Sequence, residues 1–115
     1  MRVLVIDDDA PSVDALRVML ESAGHRVDCA GNGREGLSRL REANGYCVIL
    51  LDIMMPVMNG YEFRATQKQD EQLAGIPVLV LTAGDRVDAS SIDVAAIFHK
   101  PLKIPTLLEA LARHC

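Results

Sequence analysis

Residues 46–60 read YCVILLDIMMPVMNG and combine, in order, a strand, a carboxylate, a loop and the start of a helix. The run Tyr46–Leu51 is apolar on both faces of its pleat, which is typical of a parallel strand covered by helices on both sides. Asp52 follows the run directly, and Asn59-Gly60 marks the turn before the next helix. This stretch therefore predicts an α/β fold with Asp52 at the carboxyl end of a buried strand.

Short apolar runs recur along the chain and alternate with amphipathic stretches, the pattern of βαβ units around a parallel sheet. The predicted strands are Arg2–Ile6, His25–Ala30, Tyr46–Leu51, Pro77–Leu81 and Val94–Phe98. The predicted helices are one with Pro11 in its first turn and Gly24 at its end, Arg34–Ala43, Tyr61–Leu73, and a last one after Pro105. The segment Ala83–Asp93 has few apolar residues, so a fourth helix there is expected to be short or irregular. No linker or repeat divides the chain, so residues 1–115 are expected to form one domain.

The composition argues against several classes of protein. Half of the 115 residues are apolar, only 3% are aromatic, Trp is absent and the formal net charge is −4. Such a chain is poorly suited to bind nucleic acids or anionic membranes. The opening MRVLVIDDD does not resemble a signal peptide, and no apolar run approaches the roughly 20 residues of a membrane span. We therefore expect a soluble cytoplasmic protein with no direct nucleic-acid contact and no membrane insertion.

The chain has three cysteines, Cys29, Cys47 and Cys115. Their odd number and long spacings fit neither a disulfide framework nor a zinc ribbon. We therefore expect three small thiols, buried or terminal, in a reduced protein.

Polar side chains follow four of the predicted strands. Asp7, Asp8 and Asp9 come after the first strand, Asp52 after the third, Thr82 after the fourth and Lys100 after the fifth. Because parallel strands point the same way, these side chains gather at the carboxyl edge, where α/β sheets bind ligands. Crowded carboxylates raise one another's pKa unless a cation neutralises them, and an all-oxygen ligand set favours Mg²⁺. The cluster predicts an aspartate that attacks phosphorus, with Mg²⁺ and Lys100 offsetting the phosphoryl charge and Thr82 as a neutral donor.

Four motifs resemble the receiver domain of two-component response regulators, and the resemblance covers essentially the whole chain. They are VIDDDAP at 5–11, VILLDIMMPVMNGYE at 48–62, VLVLTA at 78–83 and HKPL at 99–102. The resemblance implies a single doubly wound five-stranded parallel sheet, order 2-1-3-4-5, with helices on both faces. It also implies that residues 1–115 are one receiver domain with no effector domain in the chain.

The resemblance assigns the metal ligands. Asp8 is expected to ligate Mg²⁺ directly, Asp7 mainly through water, Asp52 as the phosphoacceptor itself, and Met54 through its backbone carbonyl. Asp9 is expected to stay off the metal, as a charge near the positive end of the first helix.

The resemblance also assigns the phosphoryl contacts. Thr82 is expected to bond a phosphoryl oxygen, and Lys100 to pair with Asp52 or with its phosphoryl group. The bond between Lys100 and Pro101 is expected to be cis. The family usually has Tyr or Phe three residues before this Lys, whereas this chain has Ile97. Phe98 is adjacent, but a shift of one residue turns a strand side chain to the other face, so it cannot substitute.

The implied function is a phosphorylation-controlled switch of a two-component phosphorelay. A sensor histidine kinase or phosphotransfer protein supplies the phosphoryl group, and the fourth and fifth α/β elements repack to regulate an unknown downstream protein. The chain is expected to phosphorylate and dephosphorylate itself without being a turnover enzyme, as a monomer or weak dimer. Two alternatives stay open: an interaction module independent of phosphorylation, and an aspartate-nucleophile phosphohydrolase, which lacks its usual second Asp because Met54 occupies that position.

Overall fold

The computed structural model describes residues 2–43, 45–83 and 92–115. They form a five-stranded parallel sheet of order β2-β1-β3-β4-β5, which confirms the predicted fold class and strand order. The strands are β1 (Arg2–Ile6), β2 (Arg26–Ala30), β3 (Tyr46–Leu51), β4 (Val78–Thr82) and β5 (Ala96–His99). The helices within the described ranges are α1 (Ala10–Ser22), α2 (Gly33–Glu42), α3 (Gly60–Gln69) and α4 (Ile104–His114). The short helix expected within Ala83–Asp93 falls mostly on residues 84–91, outside the described residues.

Helices cover both faces of the sheet, which explains why its central strands are apolar on both sides. On one side, here called the α2–α3 face, sheet residues such as Ile6 and Ile49 pack with Leu37 of α2 and Phe63 of α3. On the other, the α1–α4 face, the alternate sheet residues pack with α1 and α4, through residues that include Val5, Leu50, Leu16, Leu20, Leu107 and Leu111. No helix in the described part of the chain is long and apolar enough to cross a membrane.

The third helix is shorter than predicted. It ends at Gln69 because Asp70, its C-cap, has an extended backbone and accepts a hydrogen bond at Oδ1 from the amide of Gln72 at 3.0 Å. The buried Gln67 side chain then holds the following turn, since its Nε2 donates to the carbonyls of Leu73 (2.9 Å) and Ile76 (3.1 Å). Leu73 therefore enters the core from a turn, which its periodicity alone could not distinguish from a helix.

The prediction of three free thiols is wrong. Cys47 and Cys115 form a disulfide with a Cα–Cα distance of 5.3 Å, and Cys29 is the free cysteine. A register shift in the β1–β3 ladder pairs Arg2 with Tyr46 and Val3 with Val48, so Cys47 is an extra residue. Such a bulge redirects a side chain, and Cys47 consequently packs on the α1–α4 face, the same face as Cys115. Nothing in the spacing of the cysteines predicts this irregularity.

Candidate functional site

Three carboxylates meet at the carboxyl edge of the sheet, as predicted. Asp7 and Asp8 follow β1, Asp52 follows β3, and one carboxylate oxygen from each lies within 4.8 Å of the others. Backbone pairing continues past the strand ends, since the amide of Asp52 donates to the carbonyl of Ile6 at 2.9 Å. The two strand ends are thus held side by side, and their side chains are brought together by the parallel register.

The five-stranded edge also brings Thr82 and Lys100 to the cluster. Thr82 is the last residue of β4 and is 2% exposed, and its carbonyl accepts a hydrogen bond from the Lys100 amide at 2.8 Å. The peptide bond from Lys100 to Pro101 is cis, as expected. All of the predicted strand-end residues therefore lie along one edge.

Lys100 makes its ion pair with a different carboxylate from the one expected. Its Nζ lies 3.1 Å from Oδ2 of Asp7, whose side chain is 9% exposed. The expected partner was Asp52 or its phosphoryl group. A nearly enclosed carboxylate is costly without a counter-charge, which explains why the ammonium lies beside Asp7. Asp52 is left next to two other acids without a direct ion pair among the described residues.

The surroundings of Asp52 disfavour its ionised form. Burial, followed by the negative charge of Asp7, raises the pKa of Asp52 to about 6. The charge of Asp8 acts in the same direction. The charge of Lys100 and a hydrogen bond from the Ile53 amide to Oδ1 of Asp52, 2.9 Å long, oppose the rise only in part. The ammonium of Lys100 therefore offsets the charge of the three carboxylates only in part.

This set of groups fits a hard divalent cation. The ligand atoms are carboxylate oxygens, which Mg²⁺ prefers over nitrogen or sulfur, and their mutual repulsion is relieved by a cation between them. Asp9 is not a member of the cluster, in agreement with its predicted place at the start of α1. Sequence reasoning missed one role of Asp9: its amide donates to Oδ1 of Asp7 at 2.9 Å and so orients that carboxylate.

The loop from Asp52 to α3 is held close to the strand. The amide of Gly60 donates to the carbonyl of Ile53 at 2.9 Å, and a Cβ at position 60 would lie 2.8 Å from the carbonyl oxygen of Asp52. Asn59 then caps α3 in a reciprocal pair with Glu62. Only glycine permits this approach, so Gly60 fixes the height of the helix above the site.

The same loop exposes two apolar side chains. Met54 is 74% exposed and Val57 is 69% exposed, and Val57 has a left-handed φ of 68°. That conformation is unusual for a β-branched residue, and no pattern in the sequence indicated it. Met55 and Met58, in contrast, pack against the α2–α3 face.

Ile97 and Phe98 of β5 point to opposite faces of the sheet, as predicted. Ile97 packs against the α2–α3 face and Phe98 against the α1–α4 face. Phe98 therefore cannot take the place that the resemblance gives to an aromatic ring at position 97.

A cleft of about 280 Å³ lies on the α1–α4 side of the cluster, lined by residues that include Asp7, Met19, Lys100, Leu102 and Ile104.

The chain is similar to known signalling proteins over most of its length. The model of the response regulator receiver domain matches residues 3–112. The Transcriptional regulatory protein CpxR homolog of Haemophilus influenzae is 40% identical over 88 residues, which are 76% of this chain. The alignment spans only 37% of that relative's own length.

Solved structures show the same architecture. The chemotaxis protein CheY4 of Vibrio cholerae is 30% identical, with a TM-score of 0.88 over 99% of this chain and 98% of that one. The receiver domain of the sensor histidine kinase PA1611 of Pseudomonas aeruginosa, solved with a magnesium ion in its active-site cleft, is 26% identical. Its TM-score is 0.87 over 98% of this chain and 95% of the other.

Proposed function

Because the chain belongs to the response regulator receiver domain family, we propose that it is a switch controlled by phosphorylation of Asp52. Receiver domains act in two-component signalling with histidine kinases or phosphotransfer proteins and downstream effectors, and they are not turnover enzymes in the ordinary sense. The proposal concerns what this chain does within that scheme. It includes residues 1–115 acting as one receiver unit, in the cytoplasm, as a monomer or weak dimer.

The observation that carries the proposal is the cluster of three carboxylates that includes Asp52, in which negative charge exceeds positive charge. One oxygen from each of the three carboxylates lies within 4.8 Å of the others, and the ammonium of Lys100, whose charge also acts on Asp52, is paired with Asp7. A structural acid of a folded domain is normally neutralised by its neighbours. Asp52 instead faces two other carboxylates, an arrangement that suits a nucleophile acting together with a bound cation.

The residues of the site then have separate roles. Asp7, Asp8 and Asp52, together with the Met54 carbonyl, would hold Mg²⁺, which supplies charge neutralisation at the phosphoryl oxygens when bound. An Asp52 carboxylate oxygen attacks phosphorus and displaces the leaving group of the donor. Lys100 neutralises charge on the acyl phosphate, and the Thr82 hydroxyl donates to one of its oxygens.

Phosphorylation is tested most directly with a small donor. We expect acetyl phosphate and Mg²⁺ to add one phosphoryl group to Asp52, detected by intact mass and peptide mapping. Asp52→Asn should abolish the adduct, whereas the matched variant Asp9→Asn, outside the cluster, should retain it. An undiminished adduct on Asp52→Asn, or none on the wild-type chain, contradicts the proposal.

One observation favours a second candidate, an interaction module that does not depend on phosphorylation. Ile97 replaces the aromatic side chain whose rotation reports phosphorylation in similar domains, so one part of the usual response is missing. The two candidates differ in a pull-down with and without beryllofluoride, which imitates the phosphoryl group. A partner bound equally in both conditions supports the module.

A further inference from the structure

The disulfide lies at the far end of α4 from the phosphorylation site. Leu107, Ala110 and Leu111 bury one stripe of α4 on the sheet, and Cys115 follows its last turn. At the other end, Ile104 lines the cleft shared with Asp7 and Lys100. One helix thus connects the disulfide with the rim of the site.

The β-bulge explains why this pairing is specific. Tyr46 packs on the α2–α3 face, while Cys47 and Val48 both pack on the α1–α4 face, so the alternation of the strand is interrupted at Cys47. The extra residue has no partner in the β1–β3 register. Its sulfur is consequently directed at the end of α4 and does not occupy an ordinary position of the sheet.

The reduced state also has a place for the sulfur of Cys47. Its Sγ lies 3.3 Å from the backbone carbonyl oxygen of Arg2, within reach of a thiol hydrogen bond. Cys29 has a separate partner, since its Sγ accepts a hydrogen bond from Nη2 of Arg17 at 2.8 Å. Both Cys47 and Cys115 are partly exposed residues.

We propose that Cys47 and Cys115 are a reversible redox latch that fixes the end of α4 to β3 when oxidised. The exchange partner is a low-molecular-weight thiol of the glutathione class. One thiolate attacks a sulfur of the disulfide and forms a mixed disulfide, and a second thiolate releases it. The protein gains two electrons and two protons as two thiols, and the two small thiols leave as one disulfide.

The latch acts on the stability and on the local opening of α4. Closing a loop of 68 residues in the unfolded chain favours the folded state by about a thousand-fold in the folding equilibrium. The most direct reporter is the last hydrogen bond of the helix, from the Cys115 amide to the Leu111 carbonyl at 2.8 Å. In the reduced chain this turn is held by packing alone and opens more often.

The test is a titration of the full chain in glutathione buffers of stepped ratio, with alkylation of free thiols and peptide mapping at each step. We expect one reversible two-electron transition between Cys47 and Cys115, with Cys29 alkylated throughout. Hydrogen exchange of the Cys115 amide should be at least about ten-fold slower in the oxidised chain. Cys29→Ser should leave the transition unchanged, and Cys115→Ser should abolish it. Position 115 lies at the end of α4, where we expect the substitution to be tolerated.

Three results overturn the latch. They are a disulfide that resists millimolar reduced glutathione under native conditions, a thiol pair that does not oxidise in excess glutathione disulfide, and equal exchange of the Cys115 amide in both states. Cys115→Ser, which changes the end of α4 and leaves the sheet intact, is the variant that decides the outcome. None of these measurements involves Asp52, so the latch and the phosphorylation switch stand or fail independently.

Discussion

Asp28 and Asp52 are both partly buried carboxylates on the same sheet, and their surroundings move their pKa in opposite directions. Oδ2 of Asp28 accepts hydrogen bonds from Tyr46 Oη at 2.6 Å and from Arg2 Nε at 2.8 Å. The hydrogen bond from Tyr46, together with that from Arg2, lowers the pKa of Asp28 although burial acts against it. Burial and Asp7 raise the pKa of Asp52 to about 6.

The difference separates an acid with satisfied partners from the acid that we propose as the phosphoacceptor. Asp28 has two hydrogen-bond donors beside it, Tyr46 and Arg2, and the Arg2 guanidinium also lies 4.7 Å from the centre of the Tyr46 ring. Around Asp52 the nearby ammonium pairs with Asp7, and Val57 on the following loop has a left-handed backbone. A raised carboxyl pKa and a left-handed non-glycine residue occur preferentially at functional sites, which supports the role proposed for Asp52.

Among the three substitutions considered in this comparison, Asp28→Ala is expected to change stability most. Asp28→Ala leaves the buried Tyr46 hydroxyl and the Arg2 guanidinium without this acceptor, so we expect the free energy of unfolding to fall by about 2 kcal/mol. Urea denaturation measures the loss. The control is Asp93→Ala, which removes an exposed ion pair with Lys68 and should change nothing measurable. If Asp28→Ala and Asp93→Ala lower the free energy of unfolding equally, Asp28 is not a structural acid and its contrast with Asp52 is lost.

Removing the charge of Asp52 is expected to raise the free energy of unfolding, whereas removing Asp28 lowers it. Between its ordinary pKa of 3.8 and about 6, Asp52 is protonated in the folded chain and ionised in the unfolded one. The contribution of Asp52 therefore lowers the free energy of unfolding as pH rises through this range. A full shift of two units corresponds to about 3 kcal/mol, which solvent screening of this half-exposed group reduces to about 1–2 kcal/mol.

Asp52→Asn should accordingly stabilise the metal-free chain by about 1–2 kcal/mol at pH 7 and by little at pH 4. Denaturation in urea with a chelator at both pH values measures this difference. Mg²⁺ should stabilise the wild-type chain more than the variant. A variant that is less stable than the wild-type chain at pH 7, or equally affected at both pH values, contradicts the inference that the ionised Asp52 carboxylate destabilises the metal-free fold.

The smallest expected effect concerns the backbone of Val57. Asn tolerates the left-handed region better than a β-branched residue, so Val57→Asn should stabilise the chain by about 1 kcal/mol. The matched control is Val18→Asn, at a similarly exposed valine within α1, with an expected change below about 0.5 kcal/mol. Thermal denaturation of both variants distinguishes backbone strain from exposure of an apolar side chain. A gain at position 18 equal to that at position 57 would count against strain.

The sequence contains enough information for the fold and for the members of the site, because both depend on periodicity and on where strands end. Asp7, Asp52, Thr82 and Lys100 had to meet once the strands were parallel. The pairing of Lys100 with Asp7 could not be predicted, since it depends on whether the side chain of Asp7 or that of Asp52 is more enclosed. Partner choices of this kind are set by side-chain burial and not by spacing.

The disulfide and the left-handed Val57 were missed for a related reason. Both depend on local departures from regular geometry, a bulge at Cys47 in one case and a positive φ in the other. The residue types at these two positions do not indicate either departure, because neither is the glycine or asparagine that usually occurs at such a backbone conformation.

The close contact at Gly60 has a mechanical consequence. Since the first turn of α3 rests on the backbone of Asp52, we expect a displacement of that backbone to shift the whole helix of ten residues, about 15 Å long. Farther along the helix, Arg64 donates to the carbonyl of Asp93 and Lys68 Nζ lies 3.0 Å from its carboxylate. Helix α3 therefore connects the backbone of Asp52, through the close approach at Gly60, with the segment that enters β5.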